Sequence, residues 1–357
     1  MIAGGGTAGH VVPALALADV LTARGYEVSF CGSGQGMEGD LVPRAGYAFA
    51  VVRIRGFSRK LGVSTLRTLA SIPLAGYDAW RLLRRLRPDC VVGVGAYASG
   101  PVVAEAALRR ITTVAVEMDS HMGWTNRILS HLVDKVCLSF PDPRRTGAKF
   151  VYTGRPLRPA LMEATREQGL ARFSLDPARP VLVVFGGSLG AHTLNENTVA
   201  TFAGRQTPFQ VIHVTGEREY RRVASVLEQP GANKSYQAYS YLEDFPLALA
   251  AADAVVSRSG GSVAEILARG IPALLVPYPL AAGDHQTKNA RMVAEQGASR
   301  VVADGDLTPE VLAREVGILL DEGTSRGMKE AALRLARPDA ATRIADLIVE
   351  LLSPSKE

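Results

Sequence analysis

Short apolar runs recur along the chain: VSFCG at 28–32, CVVGVG at 90–95, TTVAV at 112–116, VLVVFGG at 181–187, QVIHVTG at 210–216, AVVSRSG at 254–260 and PALLVPY at 272–278. Helical stretches separate them. Apolar runs without polar alternation read as strands buried on both faces, and strands alternating with helices build βαβ units on parallel sheets. The expected class is α/β. MIAGGGTAGH opens the chain, and VLVVFGGSLGAH repeats its strand, glycine-rich turn and helix start about 180 residues later. Such a repeat is what two Rossmann-like, doubly wound domains produce. The Pro- and Arg-rich segment 153–180 reads as the linker. The expected domains are therefore 1–155 and 156–338, with a helical segment 339–357 that packs back on the first. Only Met1, Ile2 and Ala3 precede the first glycines, against a usual strand of ~5–6 residues. The first strand is either stunted or starts upstream.

A length of 357 residues favours two domains over one, and 47% hydrophobic with 21% charged residues is ordinary for a folded chain. The three cysteines, Cys31, Cys90 and Cys137, lie far apart with no CxxC, so neither a zinc site nor a disulfide framework is indicated, and a reducing cytoplasm fits. No apolar run of ~18 residues or secretion signal occurs. The net charge of +5 is uneven: Arg53, Arg55, Arg59, Lys60, Arg67, Arg81, Arg84, Arg85 and Arg87 face a single acid, Asp78, within 53–87. That block predicts a surface for a polyanion, either nucleic acid or anionic lipid. Within it Leu66, Leu69, Ile72, Pro73, Tyr77 and Trp80 precede Arg81 and Arg84. This is either a core-facing helix with a solvated basic end, or an apolar and aromatic patch that dips into a membrane interface. No zinc-finger, RRM or recognition-helix pattern favours nucleic acid.

Three turns carry candidate chemistry. In Gly4–His10 the glycines either serve tight packing or let a ligand approach a helix N-terminus; His10 is either a general base or an ordinary hydrogen-bonded histidine. Gly186–Ala191 has the same geometry plus Ser188, a candidate phosphate contact. It lacks the Walker lysine and the strict GxGxxG, which argues against a P-loop NTPase and an NAD enzyme. In SRSGGSVAEILARG at 257–270, Glu265 either closes a capping box with Ser262 or accepts ribose hydroxyls, and Arg258 either meets phosphates or pairs with Asp253. Downstream, Asp284, His285, Gln286 and Asn289 crowd one segment, suited to sugar hydroxyls or to a solvated turn.

Together these motifs resemble the MurG family of bacterial peptidoglycan glycosyltransferases. The resemblance spans nearly the whole chain: GGGTAGH at 4–10, MEGDLVPRAGY at 37–47, VGVGAYASGP at 92–101, TNRILS at 125–130, TGRPLR at 153–158, GGSLGAHTLN at 186–195, the 257–279 segment and DHQTKNA at 284–290. It implies a GT-B fold, two Rossmann-like domains around a cleft, and inverting transfer from UDP-N-acetylglucosamine to lipid I, the undecaprenyl-diphosphate-linked muramyl peptide. It further implies that Ser188 contacts phosphates, Arg158 lies on the donor side, Leu242 holds uracil through its backbone, Glu265 binds ribose, and Gln286 with His285 orients the sugar. Thr7, Ala8, Gly9, His10 and Tyr97 would face the acceptor. His10 is the first candidate base, with Glu117 and Asp119 as alternatives. No cofactor is expected beyond weak divalent-metal assistance, nor a nucleic-acid partner; the protein would sit peripherally on the cytoplasmic face of the membrane, on anionic lipid. This chain departs from the family pattern in four places: TAGH replaces TGGH, Val116-Glu117-Met118-Asp119 replaces His-Glu-Gln-Asn, Gly154-Arg155-Pro156 replaces GNP, and GGSLGA replaces GGSQGA. Another GT-B enzyme of UDP-N-acetylglucosamine, such as a 2-epimerase or a glycolipid transferase, and a non-catalytic UDP-sugar-binding module are the rival readings.

Overall fold

The computed structural model describes residues 1–54, 63–187 and 190–353, without the side chains of residues 8, 63–72, 96 and 282. The chain divides into two compact units, Met1–Arg158 with Arg337–Glu357, and Pro159–Ala336.

The first unit is built on β1 (Ile2–Ala3), β2 (Ser29–Gly32), β3 (Ala48–Val51), β4 (Cys90–Gly93), β5 (Thr112–Glu117), β6 (Lys135–Leu138) and β7 (Phe150–Tyr152). All pairings are parallel, in the order β3-β2-β1-β4-β5-β6-β7. Successive residues of a strand point to opposite faces, which sorts the core into two layers. Ile2, Phe30, Val92, Val114 and Cys137 bury against Val11, Leu15 and Ala18 of the helix Ala8–Ala23 and against Ile344, Ala345 and Ile348 of the C-terminal helix Ala340–Leu352. Ala3, Cys31, Val91, Ala115 and Val136 bury on the other side, against Ala75, Ala79 and Leu83 of the helix Val63–Leu86 and Val102, Val103 and Ala106 of the helix Ala96–Leu108.

The second unit carries β8 (Val181–Phe185), β9 (Gln210–Val214), β10 (Tyr236–Tyr239), β11 (Ala254–Ser257), β12 (Ala273–Leu275) and β13 (Arg300–Val301). These are again all parallel, ordered β10-β9-β8-β11-β12-β13. Leu182, Val184, Val211, Val256 and Leu274 pack under Leu194, Phe202, Leu312, Val316 and Leu319.

Both sheets reverse their winding at one place, between β1 and β4 in the first and between β8 and β11 in the second. Ligands of open parallel sheets bind outside the carboxyl ends of the strands at such a switch point. The turns that leave β1, β8 and β11 are the three candidate segments of the sequence, Gly4–Thr7, the turn opened by Gly186 and Gly187, and Arg258–Ser262, and the turn that leaves β4, Val94–Gly95, lies in the 92–101 motif.

Candidate active site

In the first unit, Thr7 precedes the helix Ala8–Ala23, and Gly9 and His10 occupy its first turn. Thr7 is exposed and its Oγ1 lies 3.4 Å from His10 Nδ1. The imidazole rests on Gly95: a Cβ added there would stand 3.1 Å from His10 Cδ2 and 3.3 Å from Nε2. Gly95 also has φ 88° and ψ −167°, a region essentially closed to other residues, where an imposed side chain costs on the order of 1–3 kcal/mol. Gly95→Ala is therefore expected to lower Tm by several degrees and to displace the His10 ring. An unchanged melting curve with unchanged His10 resonances would overturn that placement.

The turn itself is held by a residue of the 37–47 segment whose part the sequence alone does not reveal. Glu38 is buried, accepting from the Gly6 N–H at 2.7 Å and the Ser33 hydroxyl at 2.8 Å. Burial pushes its carboxyl up, but the Gly6 N–H, its own N–H, Ser33 and the Gly36 N–H outweigh that and hold it below the usual range. Any Cβ at Gly5 would run into this carboxylate, so that glycine serves packing.

Glu117 ends β5 and is 6% exposed. Its Oε1 accepts from the Asp119 N–H at 3.1 Å, and its Oε2 from the Gly123 N–H and Asn126 Nδ2, both at 3.0 Å. Burial, with the neighbouring Asp119 charge, pushes its carboxyl above the usual range despite these bonds. The donors that close around it give Glu117 the geometry of a loop organiser. Asn126, also unassigned from sequence, sits against the same site. Its Nδ2 bonds both Glu117 and the Val116 carbonyl at 3.2 Å and lies 3.8 Å from where a Gly95 Cβ would be. With both amide protons used on acceptors its orientation is determined, and its buried Oδ1 has no hydrogen-bond partner. Asp119 is half-buried, and Tyr97 packs part-buried against the core on the Ala96–Leu108 helix.

In the second unit, Ser188 lies outside the described residues. Arg258 leaves β11 and meets neither sequence expectation in full. Asp253 pairs instead with Arg166 at 3.0 Å and with the Val181 N–H at 2.8 Å. The Arg258 guanidinium lies 2.5 Å from Asp304, donates to the carbonyls of Val276 and Pro277, and covers the Tyr278 ring. With one carboxylate partner and two carbonyl acceptors, this buried arginine braces the ends of β11 and β12. Ser262 precedes the helix Val263–Arg269 but its side chain makes no capping bond, so the hydroxyl half of the proposed capping box is not formed; Glu265 lies half-buried in the first turn.

The 284–290 segment folds onto the 257–262 turn. Gln286 Oε1 accepts from the Tyr278 N–H at 2.9 Å, the Gln286 carbonyl accepts from the Ser259 hydroxyl at 2.8 Å, and buried Asn289 donates to the Ser259 carbonyl at 3.1 Å. Two motifs apart in sequence thus meet, with His285 opening the helix His285–Glu295 beside them. Leu242 is buried in the loop after β10, and Arg158 is exposed at the end of the first unit's N-terminal segment. Among the described residues no group of three His, Cys, Asp or Glu is placed to hold a metal ion.

On the basic helix, Tyr77 and Trp80 are 53% and 38% exposed and stack at 5.9 Å, while Ala75, Ala79, Leu82 and Leu83 face the core. Arg84 and Arg109 lie over the Trp80 ring at 5.4 and 5.9 Å. Asp78 is neutralised by Arg53 at 2.7 Å, whose guanidinium holds its carboxyl below the usual range. Arg81 and Arg84 are exposed. Leu69 and Ile72 fall among side chains outside the description. Among the described residues no helix is long and apolar enough to cross a membrane.

Residues 1–138 match the glycosyltransferase family 28 N-terminal domain and residues 181–344 its C-terminal domain. The chain is 40% identical to the UDP-N-acetylglucosamine--N-acetylmuramyl-(pentapeptide) pyrophosphoryl-undecaprenol N-acetylglucosamine transferase of Moorella thermoacetica, covering 98% of each chain. It is 36% identical to the protein of that name from Halothermothrix orenii, covering 97% of this chain and 96% of the relative. Its fold is similar to the crystal structure of Acinetobacter baumannii MurG, with a TM-score of 0.80, 30% identity and 98% of both chains covered.

Proposed function

This chain belongs to the MurG family within glycosyltransferase family 28, and from that premise we propose that it moves N-acetylglucosamine from UDP-N-acetylglucosamine to the C4 hydroxyl of the muramyl sugar of lipid I, forming lipid II for the cell wall. The observation that carries this reading is the 40% identity over 98% of both chains, with glycine-rich turns lying at the switch points of two parallel sheets.

In the reaction the acceptor oxygen attacks C1 of the donor sugar with inversion, the C1–O bond to UDP breaks, and UDP departs with the electron pair. The proton of the attacking hydroxyl needs a base, and His10 is assigned that part. Its place in the first turn of the helix Ala8–Ala23 puts its ring beside Gly95 at the first sheet's switch point. Glu117 and Asn126 shape the loop beside it. Thr7, Gly9 and Tyr97 stand on the acceptor side. In the second unit Glu265 is assigned to the ribose, Gln286 and His285 to the sugar, Leu242 to uracil and Ser188 to the diphosphate, while Arg158, which closes the first unit's N-terminal segment, is assigned to the donor side. UDP release from UDP-N-acetylglucosamine by the purified protein on anionic vesicles, with and without a lipid I analogue, tests the reading. Release that depends on acceptor, with sugar entering the lipid, supports it. Release without acceptor would count for an epimerase or hydrolase, and binding without release for a non-catalytic module.

A lipid-borne acceptor requires contact with its membrane, and the exposed Tyr77–Trp80 pair flanked by arginines supplies apolar area and positive charge together. Each arginine near an anionic surface is worth about 1 kcal/mol. Replacing Trp80 with Ser and both Arg81 and Arg84 with Ala is expected to cut flotation with anionic vesicles at least about tenfold. Salt should weaken the wild-type binding as the Debye length falls. Equal flotation of variant and wild type would remove this face from the membrane.

A further inference from the structure

The helix Ala8–Ala23 contains Pro13. Proline has no N–H, so the carbonyl four residues earlier, that of Gly9, loses its helical donor. Arg155 takes that place: its Nη2 donates to the Gly9 carbonyl, while Nη1 donates to the Met118 carbonyl at 2.9 Å. Arg155 is 6% exposed and lies in the loop after β7. The two carbonyls are not arbitrary. Gly9 shares its peptide unit with His10, and Met118 shares its peptide unit with Asp119. One planar guanidinium, a rigid fork of donors, therefore spans from the peptide that carries the candidate base to the peptide that opens the loop organised by Glu117.

We propose that Arg155 is a positioning residue for the transfer, setting the spacing between the His10 and Asp119 peptides and using the carbonyl that Pro13 leaves without a helical donor as its anchor. This rests on the reading of His10 as the base. It also gives a physical meaning to a departure noted in the sequence, since Arg155 and Asp119 both stand where the MurG pattern has asparagine, and the two altered positions meet at one peptide. A short carboxamide cannot reproduce a two-carbonyl span built on a long side chain, and lysine keeps the charge but loses the fork.

The test uses the full chain with four variants: Arg155→Lys, Arg155→Asn, Pro13→Ala, and Pro13→Ala combined with Arg155→Asn. Both Arg155 variants are expected to lose about tenfold or more in kcat with the KM for UDP-N-acetylglucosamine within twofold of wild type. Pro13→Ala restores a helical N–H to the Gly9 carbonyl. In the double variant it should recover the Tm lost by Arg155→Asn while kcat stays low, because the span to Met118 is still missing. Recovery of kcat together with Tm would overturn the proposal and leave Arg155 as a carbonyl partner only; so would wild-type kcat in Arg155→Asn. Amide hydrogen exchange gives a readout without turnover: segments 6–14 and 117–124 should lose protection together in Arg155→Asn, and a change confined to one of them refutes the span. Failure of the functional reading is separable, because it would appear as absent acceptor-dependent transfer in the wild type.

Discussion

His10→Ala should lower kcat for transfer to lipid I by about 10²–10⁴-fold, the usual worth of a positioned general base, with the KM for UDP-N-acetylglucosamine unchanged. The size follows from chemistry: a sugar hydroxyl is a poor nucleophile until its proton is taken, and His10 is the imidazole at the first sheet's switch point. The unchanged donor KM is expected because the residues proposed for the donor, Glu265, Gln286, His285 and Leu242, are built on the second unit. The ring is held on two sides, by Thr7 Oγ1 at Nδ1 and by the Gly95 backbone beneath Nε2, so its loss should leave secondary structure intact. Steady-state kinetics with varied donor and acceptor, alongside a melting curve, measure this. Near-full turnover in His10→Ala would end its part as the base and move attention to Asp119, because the Glu117 carboxylate is already surrounded by three donors.

Acidification should destabilise the protein through one buried histidine in the second unit, by about 2 kcal/mol between pH 7 and pH 5. His213 lies on β9 with no exposed surface. Its Nδ1 meets the Tyr236 hydroxyl at 2.6 Å and its Nε2 the Asn195 Oδ1 at 2.9 Å. Asn195 donates its own Nδ2 to the Thr215 carbonyl at 2.8 Å, so its oxygen accepts from Nε2–H, and Nδ1 accepts from the tyrosine. That pattern requires a neutral ring, and burial pushes the His213 pKa down to about 3. Between the ordinary histidine value near 6.5 and about 3, the unfolded chain binds a proton that the folded chain refuses. Stability therefore falls steadily with pH through that window, and above it the group has no effect. Urea unfolding at pH 7 and pH 5 should show the loss in the wild type and a reduced loss in His213→Gln, whatever that variant's stability at pH 7. Equal losses in the two proteins would overturn the assignment. The same chain matters for the site, because Asn195 belongs to the helix His192–Phe202 that follows the second glycine turn.

Residue type and order alone determined the class of this protein. CVVG, TTVAVE, VLVVF, QVIHV and AVVS each carry apolar residues without a polar–apolar alternation, so they become strands covered on both sides, and each glycine turn after such a strand opens a helix. The ordered motifs from 4–10 to 284–290 carried the family, since their recurrence in one order does not depend on contacts. Other strands had no such signal. AFAV, KVCL, FVY, YQAY and RV are no part of a long apolar run, and they are strands because neighbouring strands offer their N–H and C=O groups. The site divides along the same line. His10, Glu265 and Gln286 were legible as candidates because their chemistry stands beside a turn in the sequence itself. Glu38 under the first turn, Asn126 against Glu117, Arg155 on two distant carbonyls and Arg258 with Asp304 instead of Asp253 were decided by tertiary structure. A buried charge or amide must find partners wherever the folded chain brings them, and separation along the sequence says nothing of that distance.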